Sequence, residues 1–382
     1  MECCEIHRIT CSEFVQHLDK TMMGRRIPWS ASLELTARCN LNCAHCYINK
    51  PENDWDALSN ELTTEEIRHL VDCMVEEGTL WLLMTGGEPL LRRDFVDIYT
   101  YAKTKGLLIT LFTNGTLISA DVADLLAEYP PLSVEITLYG ATEETYERVT
   151  GVPGSYSRCM RCIKLLLNRQ IQLKLKTMVL SLNKFEIPDM QSFAESLGVD
   201  FRFDPLLNGR LDGSSDPAAF RICPDEVVTL DLADERRKKE WLSFINRFGN
   251  APADPRILYD CGAGLAGFHV DPYGNMTVCM MSRHRRYDLR RGSFTEGWHQ
   301  FLPQVRQQPR VKSSPCSSCR LISLCGQCPG WGHLETGDPE QPVDYLCEVA
   351  HLRAEAFGLP DNGTGEEPCL KRPMENRPRS LT

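Results

Sequence analysis

Leu33-Glu34-Leu35-Thr36-Ala37-Arg38-Cys39-Asn40-Leu41-Asn42-Cys43-Ala44-His45-Cys46 is the stretch on which the reading of the whole chain turns. A short apolar run gives way to a loop whose cysteines are spaced CxxxCxxC. Three thiolates in one tight loop hold three irons of a [4Fe-4S] cubane and leave the fourth iron without a protein ligand, whereas four cysteines would close the cluster. An open iron is one that a small molecule can chelate through an amine and a carboxylate. The same residues would also serve a zinc knuckle or lie as buried structural cysteines, and the spacing alone leaves these readings open.

The next signal lies about forty residues on, where the apolar run Leu80-Trp81-Leu82-Leu83-Met84-Thr85 ends in Gly86-Gly87-Glu88-Pro89. The two motifs, in this order and context, resemble the radical SAM (S-adenosylmethionine) superfamily. That resemblance implies a cluster on Cys39, Cys43 and Cys46, with Gly86, Gly87, Glu88 and Pro89 at the amino group of SAM.

Between about Leu33 and Phe203, short apolar segments alternate with amphipathic ones, the pattern of repeated βαβ units and a parallel sheet. Candidate strands are Leu33-Leu35, Leu80-Thr85, Leu107-Phe112, Val134-Leu138, Leu173-Val179 and Phe201-Phe203. A capping box, Thr63-Thr64-Glu65-Glu66, opens the first clear helix, which runs to Gly78. The cysteine loop, Gly86-Pro89, Thr113-Asn114-Gly115 and Asp204-Pro205 all fall at carboxyl ends of strands, which share one face of a parallel barrel. The expected fold is α/β, a partial (β/α)6 TIM-like barrel followed by a small cysteine-rich cluster-binding domain. The expected boundaries are a lead-in segment at 1–29, the barrel at 30–250, the second domain at 251–358 and a disordered tail at 359–382. Cys3, Cys4, Cys11 and Cys369 have no recognisable partner motif in this scheme.

Composition agrees. The 382 residues suffice for two cores, and the net charge of -10 argues against a nucleic-acid partner. Arg283 to Arg291 is too short and mixed for a phosphate-binding surface, and Arg236-Arg237-Lys238-Lys239 reads as a solvated helix face. No apolar segment reaches the length of a membrane span and the start lacks a signal-peptide core, so a cytoplasmic protein is expected. Eighteen cysteines in such a protein point to metal or redox chemistry rather than to disulfides.

A second cysteine field follows the barrel: Cys261, Gly274 to Cys279, Cys316-Ser-Ser-Cys319, Cys325-Gly-Gln-Cys328 and Cys347. CxxC pairs also build zinc ribbons. The full order behind a radical SAM barrel resembles the SPASM extension of peptide-modifying enzymes. The resemblance assigns Cys316, Cys319, Cys325 and Cys347 to one auxiliary [4Fe-4S] cluster, and Cys261, Cys279 and Cys328 to another. The family's usual fourth cysteine for the latter is replaced by Pro255, so either Tyr259, Asp260, Cys223 or water completes it, or an iron is open to a substrate donor.

Smaller signals carry less. The resemblance places His45 against the adenine, Asn114 in a cofactor-binding loop, Thr137 toward the ribose and Lys176 toward the SAM carboxylate, with Tyr139 where an acid is more usual. An ion pair of Glu135 with Lys174 or Lys176 would equally explain charge inside the barrel, His45 could simply pack in its loop, and Arg202, Asp204 and Arg210 are rim candidates for substrate. Cys159 and Cys162 share a helix face with Leu166 and read as core.

The resemblance implies reductive cleavage of SAM to methionine and a 5′-deoxyadenosyl radical, hydrogen abstraction from an unactivated C–H, and removal of the substrate electron by auxiliary clusters. The leading expectation is oxidative modification, such as cross-linking, of a ribosomally made peptide. A separate leader-recognition protein is also expected, because the first cluster cysteine comes only 39 residues in, together with an electron donor such as flavodoxin or ferredoxin. The alternatives are a haem or peptide-derived cofactor precursor as substrate, a sulfatase maturase, against which Met280 counts, and a non-enzymatic iron-sulfur electron carrier.

Overall fold

The alternation of apolar strands and amphipathic helices closes into a sheet whose strands follow one another in chain order. The computed structural model describes residues 21–359 except 23, 49, 249–253, 255, 313 and 318. Cys3, Cys4, Cys11, Cys369, Pro255, most of the lead-in and the tail beyond 359 lie outside the described residues. Strands β1 (Ser30–Glu34), β2 (Trp81–Thr85), β3 (Leu108–Thr113), β4 (Ser133–Thr137), β5 (Leu173–Met178) and β6 (Asp200–Asp204) pair in parallel, in that order. The connections carry α1 (Thr64–Glu76), α2 (Phe95–Thr104), α3 (Ala120–Glu128), α4 (Glu143–Thr150), α5 (Ser155–Asn168) and α6 (Ile187–Ser196). α7 (Pro224–Ala233) and α8 (Glu235–Phe248) follow β6. This is the expected partial barrel, with each expected strand found within a few residues of its place.

Alternation along the strands separates two environments. Leu173, Leu175 and Thr177 of β5 are buried while Lys174, Lys176 and Met178 are less so, and β3 alternates in the same way. The apolar set packs under the helices, and the other set faces the barrel interior. α1 starts at the expected capping box, with Thr63 Oγ accepting from the Glu66 amide at 3.2 Å and Glu66 accepting from the Thr63 amide at 2.7 Å. It buries Ile67, Leu70, Val71 and Met74. Cys159 and Cys162 of α5 are fully buried in the core, as expected.

Beyond 251 the chain first returns to the barrel. β7 (Gly267–Val270) pairs in parallel with β1, and β8 (Asn275–Thr277) and β9 (Tyr287–Asp288) extend the sheet antiparallel, making nine strands. Phe268, Val270, Met276, Trp298 and Leu302 belong to the barrel's own core. A separate small core of Leu321, Leu324, Cys325, Val343, Leu346, Ala350 and Ala354 forms further on, around α9 (Asp344–Ala356). Arg353 of α9 is buried and reaches Asp231 of α7 at 2.8 Å, which fastens this core to the barrel.

The basic run Arg236–Lys239 is not simply a solvated face. Arg236 donates to the Phe201 carbonyl, and Arg237 donates to the Phe203 carbonyl and pairs with Asp231 at 2.5 Å. The end of β6 has carbonyls to satisfy, and the guanidinium groups of α8 are long enough to reach them.

Candidate functional site

The end of β1 delivers the cysteine loop, and two sets of contacts hold it in place. Asn42 and Ala44 amides donate to the carbonyls of Thr150 and Val149 at the end of α4, each at 2.9 Å. Arg210 donates to the Cys46 carbonyl at 3.3 Å. Beneath the loop, Arg38 and Arg92 flank the buried carboxylate of Glu61 at 2.9 and 3.6 Å, and Arg92 also binds Asp94 and the carbonyls of Leu35 and Leu62. Removing one partner from a buried ion pair leaves the other charge unpaired, at a cost of about 3–5 kcal/mol. Glu61→Ala should therefore destabilise the protein by that order in denaturant unfolding. A loss under about 1 kcal/mol would show that the pair does not hold the loop.

The Gly86-Gly87 segment runs along the loop's entry. Gly87 and Glu88 amides donate to the carbonyls of Thr36 and Arg38, both at 2.8 Å. A Cβ on Gly86, whose φ is 149°, would strike the Thr36 carbonyl, and one on Gly87 would strike that of Arg38, so both glycines are needed for this approach. Glu88 is fully buried and accepts from Thr113 Oγ at 2.8 Å, the Asn114 amide at 2.8 Å and the Leu90 amide at 3.2 Å. A carboxylate has about four acceptor positions, so one further donor fits. Asn114 Nδ2 donates to Asn40 Oδ1 at 3.0 Å and approaches Cys39 Sγ at 3.7 Å, tying the β3 loop to the cysteine loop.

The three thiols stand within electrostatic range of one another. Burial, together with Glu88, pushes Cys39 up to about 12, and burial pushes Cys43 well above the ordinary thiol value. Thiols held protonated in this way bind iron with release of protons. No three of His, Cys, Asp or Glu among the described residues converge as they would around a single ion.

His45 is half-buried and packs against Tyr139, with ring centroids 5.4 Å apart, and desolvation lowers it to about 4, so the imidazole is neutral at neutral pH. Its Nδ1 is buried without a hydrogen-bond partner. Thr137 ends β4 in register with Lys176. Lys176 Nζ lies over the Phe112 ring and 3.7 Å from Glu135, the ion pair that the sequence offered as the structural explanation. Arg202 joins the same carboxylate at 2.6 Å, Asp204 caps the Leu206 amide, and Arg210 pairs with Asp216 as well as serving the cysteine loop.

A group that sequence reasoning missed centres on Glu34. It is buried and bound by Arg283 through both oxygens, at 2.6 and 2.9 Å, and by Tyr47 Oη at 3.1 Å. A glutamate between Leu33 and Leu35 was the only hint, and its partner lies 249 residues away.

Cys316, Cys319, Cys325 and Cys347 all line one small cavity inside the second core. Cys261, Cys279 and Cys328 stand in mutual electrostatic range beside buried Tyr259, whose hydroxyl meets Ser282 at 2.7 Å and His284 at 3.4 Å. Cys279 receives the amides of Met281 and Ser282, and Cys328 those of Gly330 and Trp331. Cys223 precedes α7 and lies beside Tyr345.

Fold, cysteine loop and glycine cradle together define a class, and the chain belongs to the radical SAM superfamily, whose family model matches residues 33–194. It is similar to an AdoMet-dependent heme synthase of Methanosarcina barkeri, with 34% identity over 85% of this chain and 97% of the relative. It is also similar to the mycofactocin maturase MftC of Mycolicibacterium smegmatis, with 27% identity over 88% and 85%. The fold matches that of Streptococcus suis SuiB bound to precursor peptide SuiA, with a TM-score of 0.61 and 16% identity over 91% of this chain and 84% of that one. The protein is therefore a radical SAM enzyme of the SPASM type, with SAM, a [4Fe-4S] cluster and auxiliary clusters as its cofactors. The residues present fit that set: a three-thiol loop, a cradle that a Cβ would fill, and two further thiol sets, one lining a small cavity and the other with amides donating to Cys279 and Cys328. Among the described residues no helix is long and apolar enough to cross a membrane.

Proposed function

We propose that the enzyme oxidatively modifies a ribosomally made peptide, and that Cys39, Cys43 and Cys46 hold the SAM cluster. The observation that carries the reading is the pairing of a three-thiol loop with two separate thiol sets behind it, since an initiating cluster needs one and an electron-accepting path needs the others. When bound, SAM and its cluster supply a 5′-deoxyadenosyl radical that abstracts hydrogen. In this reading the chain's own residues orient and exclude water: Glu88 and the Gly86-Gly87 cradle fix the amino end of SAM, Asn114 fixes the loop, and neutral His45 packs at the adenine. Cys316, Cys319, Cys325 and Cys347 hold one auxiliary cluster. Cys261, Cys279 and Cys328 hold the other, with Tyr259 beside it. The unit boundaries 30–250 and 251–358 belong to the same reading, with strands of the second unit extending the sheet of the first. So do a cytoplasmic location, an electron donor of the flavodoxin or ferredoxin kind, and a separate leader-recognition protein.

The names of two similar proteins, a maturase and a protein bound to a precursor peptide, support a peptide substrate. A second reading, oxidation of a haem precursor, is favoured by the 34% identity to a heme synthase over nearly its whole length. Anaerobic co-expression with short peptides encoded beside the gene, followed by mass spectrometry, separates the two. Loss of two hydrogens from a peptide, absent in Cys43→Ala, supports the first. Unmodified peptides beside active SAM cleavage move the assignment to the second.

Burial raises Glu88 to about 7. Below that pH the carboxyl is neutral, and above it the ionised group accepts more strongly from the SAM amine. SAM affinity should rise as pH increases through about 7, and Glu88→Gln should lower it about tenfold to a hundredfold and flatten this rise, since hydrogen bonds to charged groups contribute about 1.5–3 kcal/mol. Titration calorimetry at several pH values checks this, and an unchanged pH profile in Glu88→Gln would remove Glu88 from the role.

A further inference from the structure

The barrel interior is not filled as a closed (β/α) barrel's is, by layers of bulky branched side chains. A cavity of about 330 Å³ opens between β1, β2, β3 and β4, with Trp29, Trp81, Leu83 and Phe112 as apolar walls and Glu135 as its charged corner. Behind that corner two basic side chains share one carboxylate oxygen, Arg202 Nη2 at 2.6 Å and Lys176 Nζ at 3.7 Å from Glu135 Oε2, and burial holds Lys176 well below the ordinary ammonium range. The Lys176 side chain is 18% exposed, a poor setting for half a counter-ion. Other acids on this wall do not make up the deficit. Asp204 caps the Leu206 amide and shares its field among Arg237, Arg353 and Arg202. Asp200 sits at the exposed start of β6, in register with Lys174, which adds a further cation to the same face. Phe112 precedes Thr113, whose hydroxyl binds Glu88, and its side chain lines the cavity from the opposite face of β3.

We propose that Lys176 and Arg202 form a carboxylate-recognising subsite for the substrate, which presents an acidic group beside an apolar or aromatic one to this cavity. The proposal deepens the function proposed above and rests on its being a substrate-modifying enzyme. In a peptide the carboxylate is an Asp or Glu side chain; in a tetrapyrrole it is a propionate. The cavity lies at the small end of ligand pockets, which span about 300–1,000 Å³, and suits a side chain or two better than a whole macrocycle.

The test uses full-length reconstituted protein with SAM under anaerobic conditions and two pairs of probes. One pair is each peptide encoded beside the gene and its version with every Asp and Glu changed to Asn and Gln; the other is haem and haem dimethyl ester. The acidic peptide should bind at least tenfold more tightly than its amide version, and Arg202→Gln should abolish that difference while leaving the amide version's affinity where it was. Lys176→Met should do the same, and since Arg202 is 59% exposed, its variant keeps the experiment readable if Lys176→Met fails to fold. If haem discriminates from its ester in this way and the peptides do not, the subsite stands and the peptide reading fails. If neither pair discriminates in the unaltered protein, or if the variants weaken acidic and neutral probes alike, the subsite is wrong. A tenfold loss of SAM affinity in Lys176→Met with probe discrimination intact would return Lys176 to the SAM carboxylate and overturn its part here.

Discussion

Cys43→Ala should produce no methionine and no 5′-deoxyadenosine above background when incubated with SAM and dithionite, while keeping its auxiliary iron. Cys43 is buried between Cys39 and Cys46, and a cubane left with two thiolates loses the ligand set that leaves one iron open while anchoring the rest. Total iron should fall by about the four atoms of one cluster. The loop itself should persist, because its backbone is held by Thr150, Val149 and Arg210 rather than by the Cys43 side chain. Continued SAM cleavage by this variant would sink the assignment of the loop.

Cys319→Ala should have the opposite profile, with SAM cleavage still measurable, product formation lost and the C-terminal unit loosened. Cys319 lines the small cavity with Cys316, Cys325 and Cys347, and the apolar core around it is small. Where a core is that small, cluster binding contributes directly to its folding free energy. The strands of the barrel should be spared, since residues from Tyr259 to Val305 pack into the barrel core and β7 pairs with β1, while Val349 and Arg353 tie the loosened segment to the α7 side. Hydrogen exchange should show faster exchange at 321–356 with protection of β1 to β5 retained. Unaltered protection of 321–356 would show that this set carries no cluster that matters to folding.

Residue groups whose members lie close in sequence were legible without coordinates. Cys39, Cys43 and Cys46 fall within eight residues, Gly86 to Pro89 are contiguous, and strand and helix periods are local properties of the chain. The six parallel strands and the capping box at Thr63 came from the same kind of signal. The grouping of Cys316, Cys319, Cys325 and Cys347 needed the resemblance to a family, because spacing alone permits many pairings.

Tertiary structure alone decided which distant groups share an environment. It set Arg283 on Glu34 across 249 residues and laid β7 on β1, so that residues expected to open a second domain complete the first one's sheet. It put Lys176 and Arg202 on one carboxylate. A sequence states each residue's chemistry and its local period. Which charges are buried together depends on which strand edges pair and how the barrel closes, and those follow from the summed packing of the whole chain.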